Sequence, residues 1–140
     1  MAAVDASGAA LEVARGNAAR LALEVDFRLG DWFAPLGGER FDLLLDNPPY
    51  VAEGDPHLAE GDLRYEPRGA LLGGADGLDA IRQIVAQSPA HLNPGGWLLV
   101  EHGFDQAEGA RACFARAGFE RVETRRDLSG NPRVTLGCHH

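Results

Sequence analysis

Phe41-Asp42-Leu43-Leu44-Leu45-Asp46, followed at once by Asn47-Pro48-Pro49-Tyr50, is the stretch from which the fold is read. An apolar run of this length bounded by a turn signal predicts a buried strand of a parallel sheet. The two prolines fix their own φ angles and hold the residues before them extended, so the strand ends in a rigid turn. Pro48 and Pro49 lack a backbone N–H, which makes the corner rich in acceptors and poor in donors. Such a corner suits an NH2 group: the Asn47 side-chain oxygen and the Pro48 carbonyl can take its two hydrogens, and Tyr50 supplies a flat wall. Asn-Pro is also an ordinary turn dipeptide. Its position at the carboxyl end of an apolar strand, where open α/β sheets bind their ligands, marks it as a candidate active site.

Composition narrows the classes. A chain of 140 residues buries one core, so we expect one domain, 1–140. No run is long and apolar enough to span a membrane, and Met1-Ala2-Ala3-Val4-Asp5 lacks the basic start of a signal peptide, which predicts a cytoplasmic protein. Cys113 and Cys138 stand apart with no CxxC, so neither a disulfide nor a metal site is expected. The net charge of −8 argues against direct binding to a nucleic-acid backbone. All 13 cationic Lys and Arg positions are arginine, scattered except for Arg125-Arg126.

Upstream, Val4-Asp5 reads as a strand tip, and Ser7 caps a helix with Leu11, Ala14, Ala18 and Leu21 on one face. An acidic residue at such a tip can accept hydrogen bonds from ribose hydroxyls, or serve simply as a cap. Val25, Phe27 and Leu29 alternate as a short strand ending at Gly30-Asp31-Trp32-Phe33. Asp31 can accept from an exocyclic amine while Trp32 packs on the ring of an adenine; core or rim packing is the plainer reading of that Trp.

Downstream, residues 51–75 carry acids, glycines and prolines without a period and read as a long loop. Within it His57 reads as a surface residue and Arg64 as a partner for Asp62 or Glu66. Asp76 is expected to cap a helix with Leu78, Ile81, Ile84 or Val85, and Leu92 on its apolar face, kinked or ended by Pro89. Asn93-Pro94-Gly95-Gly96 then turns the chain into Trp97-Leu98-Leu99-Val100, read as a second fully buried strand. Glu101 and His102 fall on opposite faces of that strand, which favours a structural role over an acid/base pair. A helix over 106–117 carries Ala110, Phe114 and Ala117 on one face and stops at Gly118. Residues 121–126 and 133–137 form an antiparallel edge pair.

In this order the strand tips resemble those of the Rossmann-like S-adenosylmethionine-dependent methyltransferases, an α/β fold. Gly30-Asp31-Trp32, Asn47-Pro48-Pro49-Tyr50, Asp62-x-Arg64-Tyr65-Glu66-Pro67, Ala70-Leu71, Asp76-Gly77-Leu78, Pro94-Gly95-Gly96 and Glu101-His102-Gly103 narrow the resemblance. Together they look like the HemK/PrmC family of protein-(glutamine-N5) methyltransferases. The resemblance implies S-adenosylmethionine as cofactor, held by Asp5, Asp31, Trp32 and Asn47. It implies a class I peptide chain release factor as partner, with its Gly-Gly-Gln glutamine bound by Asn47, Pro48, Pro49 and Tyr50. Asn47, Pro48 and Tyr50 are then the catalytic residues, acting by orienting the amide rather than deprotonating it.

Full members of that family carry an N-terminal helical domain and a first strand with a glycine-rich cofactor loop, and neither is present in these 140 residues. In the resembled fold that strand lies between those ending at Asp5 and at Asp46. We therefore expect an incomplete sheet with a C-terminal antiparallel pair, exposed edges that favour self-association, and weak cofactor binding and activity by this chain alone. Two other readings stay open from the residues: an amino methyltransferase acting on adenine or guanine in nucleic acid, and a non-enzymatic remnant or dimerising module.

Overall fold

Strand and helix alternate along the chain as the apolar spacing requires. The computed structural model describes residues 1–49 and 77–140, in two units, Met1–Glu39 and Arg40–His140. Tyr50, the loop over 51–75 and the Asp76 cap lie outside the described residues.

In the first unit β1 (Ala2–Asp5) and β2 (Asp26–Leu29) pair in parallel, with Asp5 abreast of Leu29. Between them runs α1 (Gly8–Arg20), started as expected by Ser7, whose Oγ accepts from the Ala10 amide at 3.2 Å. This cap is worth about 1 kcal/mol, because it satisfies a donor the helix cannot. Leu11 and Ala18 are buried on the expected face. Leu21 is 63% exposed, because the helix ends at Arg20 and Leu21 has left helical geometry. After β2 a 3-10 turn, Ala34–Leu36, is tied back by Arg28, which donates to the Pro35 carbonyl at 3.2 Å and to Glu39 and Asp26 carboxylates at 2.5 and 2.6 Å.

The second unit carries β3 (Phe41–Asp46), α2 (Asp79–Gln87), a 3-10 turn (Ser88–His91), β4 (Leu92–Glu101), α3 (Ala107–Arg116), β5 (Glu120–Arg126) and β6 (Pro132–Cys138). The strands form one sheet in the order β3-β4-β6-β5, with β3 parallel to β4 and the other pairs antiparallel. The terminal pair forms as expected, but of the two strands β5 is at the edge and β6 is not. β6 enters between β4 and β5, because its backbone donors and acceptors are used on both sides.

The side chains alternate across this sheet. Leu98, Val100 and Thr135 have no exposed surface, and α2 and α3 supply Ile81, Ile84, Val85, Ala110 and Phe114 to the same core. Both Ile84 and Val85 are buried, and α3 packs on β5, β6 and α2. Phe114 stacks obliquely on Phe119 at 5.1 Å and lies so close to Gly137 that no side chain fits there. Pro89 ends α2 as expected by opening the 3-10 turn, and Gly118, with φ of 80°, ends α3.

Two expectations about burial are corrected. β3 is not a fully buried strand: Leu43 is 51% and Leu45 70% exposed, since both lie on the face opposite Leu98 and Val100, and β4 is the only strand bonded to β3 among the described residues. β4 is likewise buried only at alternate residues, with Trp97 and Leu99 half-buried on that same face. The expected turn at residues 93–96 is a bulge within β4: Phe41 pairs with Leu92 but Leu43 with Trp97, so the four residues between are extruded, with Gly95 at φ of 80°. Among the described residues, β1 and β3 belong to separate sheets.

Candidate functional site

Each unit presents candidate residues at the carboxyl ends of its strands. In the first, the Gly30 amide donates to the Asp5 carbonyl at 3.1 Å, bringing Asp5 and Gly30-Asp31-Trp32 to one end of the β1–β2 pair. Asp5 is exposed and its Oδ1 accepts from the Ser7 amide at 2.7 Å, so one carboxylate oxygen is oriented by the chain. Asp31 is exposed and its carbonyl accepts from Ala34 at 3.0 Å. Trp32 is half-buried at φ of 47°, a left-handed conformation that costs a bulky residue on the order of 1 kcal/mol and marks a position held by its surroundings. A side chain at Gly30 would run into the Pro35 ring, so Gly is required there.

In the second unit Asn47-Pro48-Pro49 follows β3 directly. Asn47 is exposed, Pro49 half-buried and Pro48 fully buried, anchoring the corner as two consecutive prolines should. A cleft of about 290 Å³ opens beside it, lined by Leu45, Asp46, Asn47, Leu99, Glu101 and Val134. Register explains the grouping. Leu45 pairs with Leu99 and Val134 with Glu101, so these four side chains share a face, and Asp46 pairs with Val100, which puts Asn47 level with Glu101 one residue on.

The polar lining of the cleft consists of two carboxylates and an amide. Burial lifts the Asp46 carboxyl to about 6, because the charged form is poorly solvated there. From the sequence, Asp46 is the last residue of a strand and Glu101 is favoured for a structural role over membership of an acid/base pair; alternation shows that Glu101 and His102 diverge, and strand pairing shows that Glu101 is the one facing the cleft.

His102 turns the other way and is fully buried. A carbonyl oxygen can only accept, so His102 Nδ1 carries the hydrogen for the Gly103 carbonyl at 2.8 Å, and Nε2 must accept from the Thr135 hydroxyl at 2.9 Å. The Thr135 oxygen in turn accepts from Thr124 at 3.0 Å, and Thr124 from the Arg111 guanidinium at 3.2 Å. Burial, with Arg133 and Arg111 nearby, holds the imidazole below its ordinary pKa, against an opposing pull from the Gly103 carbonyl and Glu101. The His102 amide donates to the Arg133 carbonyl at 2.9 Å and the Gly103 amide to Gln106 Oε1 at 2.8 Å, so the turn after Glu101 is braced from both sides. This bears out the structural reading of His102.

Among the described residues, no group of His, Cys, Asp and Glu is arranged to hold a metal ion, and no helix is long and apolar enough to cross a membrane.

Comparison with known proteins gives these positions a context. Residues 1–61 match the model of the methyltransferase small domain. The chain is 53% identical over 136 residues to the release factor glutamine methyltransferase of Xylella fastidiosa, covering 96% of this chain and 50% of that protein. It is equally similar to the protein of the same name from Pseudomonas aeruginosa, covering 96% of this chain and 49% of that one. Among solved structures, a methyltransferase from Pyrococcus furiosus superposes with a TM-score of 0.70 at 20% identity, over 98% of this chain and 60% of that one. The chain thus has the Rossmann-like methyltransferase fold and spans about half the length of the curated relatives it matches. Over that half, its sequence is similar to those of the release factor glutamine methyltransferases.

Proposed function

We propose that this chain, 1–140, is the catalytic portion of an S-adenosylmethionine-dependent enzyme that methylates the glutamine side-chain amide of the Gly-Gly-Gln motif in class I peptide chain release factors. The observation that carries this reading is the 53% identity over 96% of the chain to proteins of that name. Asn47 and Pro48 offer two neutral acceptors at the end of β3, a pair that fits the two hydrogens of a primary amide.

Cofactor supplies an electrophilic methyl group when bound. On the chain's side, Asp5 fits a ribose diol, since Ser7 engages one of its oxygens and leaves the other for a hydroxyl. Asp31 and Trp32 fit an adenine amine and ring face, and Asn47 is shared between cofactor and substrate. Asn47 Oδ1 and the Pro48 carbonyl would hold the NH2 of the substrate and Pro49 would restrict its pose, a role the resemblance also gives to Tyr50, which lies outside the described residues. The work is positioning, because an amide nitrogen is a weak nucleophile and neutral carbonyl acceptors raise its electron density without needing a proton transfer first.

This reading places the protein in the cytoplasm, where release factors act, without direct binding to nucleic acid. It includes self-association through the open edge of β3, where Leu43 and Leu45 are exposed; light scattering over a concentration series tests that. The test of the reaction is a methylation assay with tritiated cofactor in excess, offering release factor, RNA and DNA in parallel. Slow labelling of release factor at glutamine is expected; label in nucleic acid alone would establish the competing amino methyltransferase reading instead. Calorimetry showing micromolar cofactor affinity for the chain alone would overturn the expectation that its binding is weak.

A further inference from the structure

Asn47 and Pro48 can orient an amide N–H but cannot take its proton, because a carbonyl oxygen of an amide is a hydrogen-bond acceptor and not a base at neutral pH. Methylation of a neutral nitrogen leaves one hydrogen too many on it. A group that receives this proton belongs beside Asn47, and the chain carries one. Resting on the function proposed above, we infer that Glu101 is a further catalytic residue, whose carboxylate receives the proton lost from the substrate nitrogen.

Three observations carry this. The β3–β4 register ends with Asp46 paired to Val100, so the next residue on each chain, Asn47 and Glu101, leaves this last pair at the same end of the sheet. Both line the same cleft of about 290 Å³. Among the described residues, the Glu101 carboxylate makes no hydrogen bond or ion pair, although its main chain is pinned by pairing with Val134 and the turn after it is braced through His102 and Gln106. A rigidly held carboxylate with no protein partner, facing a cleft with aliphatic walls, is suited to exchange a proton with a ligand. Asp46 also lines the cleft, but it pairs with Val100 and so starts from the opposite face of the sheet to Asn47.

The step balances. The nitrogen lone pair becomes the new N–C bond, the electron pair of the broken C–S bond stays on sulfur as a thioether, and one N–H proton passes to Glu101. The neutral N-methyl amide leaves, and the carboxylic acid returns its proton to water.

Two readouts test this on the 140-residue chain. In methylation of release factor with excess cofactor, E101Q is expected to lower kcat by roughly 10²-fold with KM little changed, and to abolish the fall in rate at acid pH, while E101D restores part of it. If the acid limb persists in E101Q and disappears in D46N, the base is Asp46 and the assignment to Glu101 is overturned. The second readout needs no turnover: ¹³C NMR of the glutamate side-chain carboxyls during titration with a Gly-Gly-Gln peptide. A shift of the Glu101 carboxyl together with the Asn47 amide supports the contact. A shift at Asn47 with none at Glu101 removes the role of Glu101 and leaves the proposed function standing; no shift at either position removes both. E101Q retaining the thermal unfolding profile of the parent shows that any loss is not misfolding.

Discussion

Replacing Thr135 by valine removes one oxygen from the centre of the buried relay and nothing else of consequence. Thr135 has no exposed surface, and its hydroxyl donates to His102 Nε2 at 2.9 Å while accepting from Thr124 at 3.0 Å. Valine has nearly the same shape, so no cavity follows, but the Nε2 lone pair is left buried and unpaired. Stranding such a group costs about 1–3 kcal/mol. Thr124 is half-buried and still reached by Arg111, so its loss is smaller. Taking about 2 kcal/mol for a unit of about 100 residues, the midpoint of thermal unfolding should fall by roughly 8–16 °C. The assay is circular dichroism melting at pH 8, where His102 is neutral in both folded and unfolded states. Protonation adds a second check. Since the fold holds His102 below its ordinary 6.5, the unfolded chain binds the proton more tightly, so stability is unaffected above pH 6.5 and declines as pH falls below it. T135V should melt well below T124V. A T135V shift under 2 °C, or equal shifts for the two variants, would refute the directed relay and with it the tautomer assigned to His102.

Other outcomes follow from the same geometry. D46N should stabilise the chain at pH 8 by roughly 1–3 kcal/mol: the folded carboxyl titrates near 6 rather than 3.8, so its ionisation costs stability above pH 6, and the advantage over the parent should shrink to nothing near pH 3 in denaturant titrations. N47A should reduce methylation by about 10²–10³-fold with little change in melting temperature, since Asn47 is exposed, which steady-state kinetics and a melt would read together. G137A should destabilise by about 1–3 kcal/mol, because the added Cβ meets Phe114 Cδ1 at 2.8 Å and Phe119 Cβ at 3.0 Å, both ring-bearing neighbours in a filled core; chemical denaturation measures it. S7A should cost about 1 kcal/mol through the lost cap, seen as faster amide exchange in the first turn of α1.

Much of the local structure was legible in the chain because its causes are local. The run from Phe41 to Asp46 is β3 to the residue, since the prolines that follow cannot extend a ladder. Ser7 caps α1, Pro89 closes α2, and Gly118 ends α3 by adopting a backbone angle other residues resist. The candidate corner at Asn47-Pro48-Pro49 was legible for the same reason: the chemistry of an acceptor-rich turn resides in its own residues.

What the sequence by itself determined, then, was which segments are strands and helices and which strand tips carry polar groups. Tertiary structure alone decided how those strands are ordered and which face each residue meets, because pairing joins residues far apart in the chain and a one-residue change of register reverses every side chain. An unbroken apolar run reads as buried on both faces; that Leu43 and Leu45 are exposed while Leu98 and Val100 are not depends on the helices covering one side of the sheet. Glu101 and His102 are adjacent in sequence and equally polar. Only the pairing of β4 with β3 and β6 places the carboxylate beside Asn47 and commits the imidazole to the buried relay with Thr135.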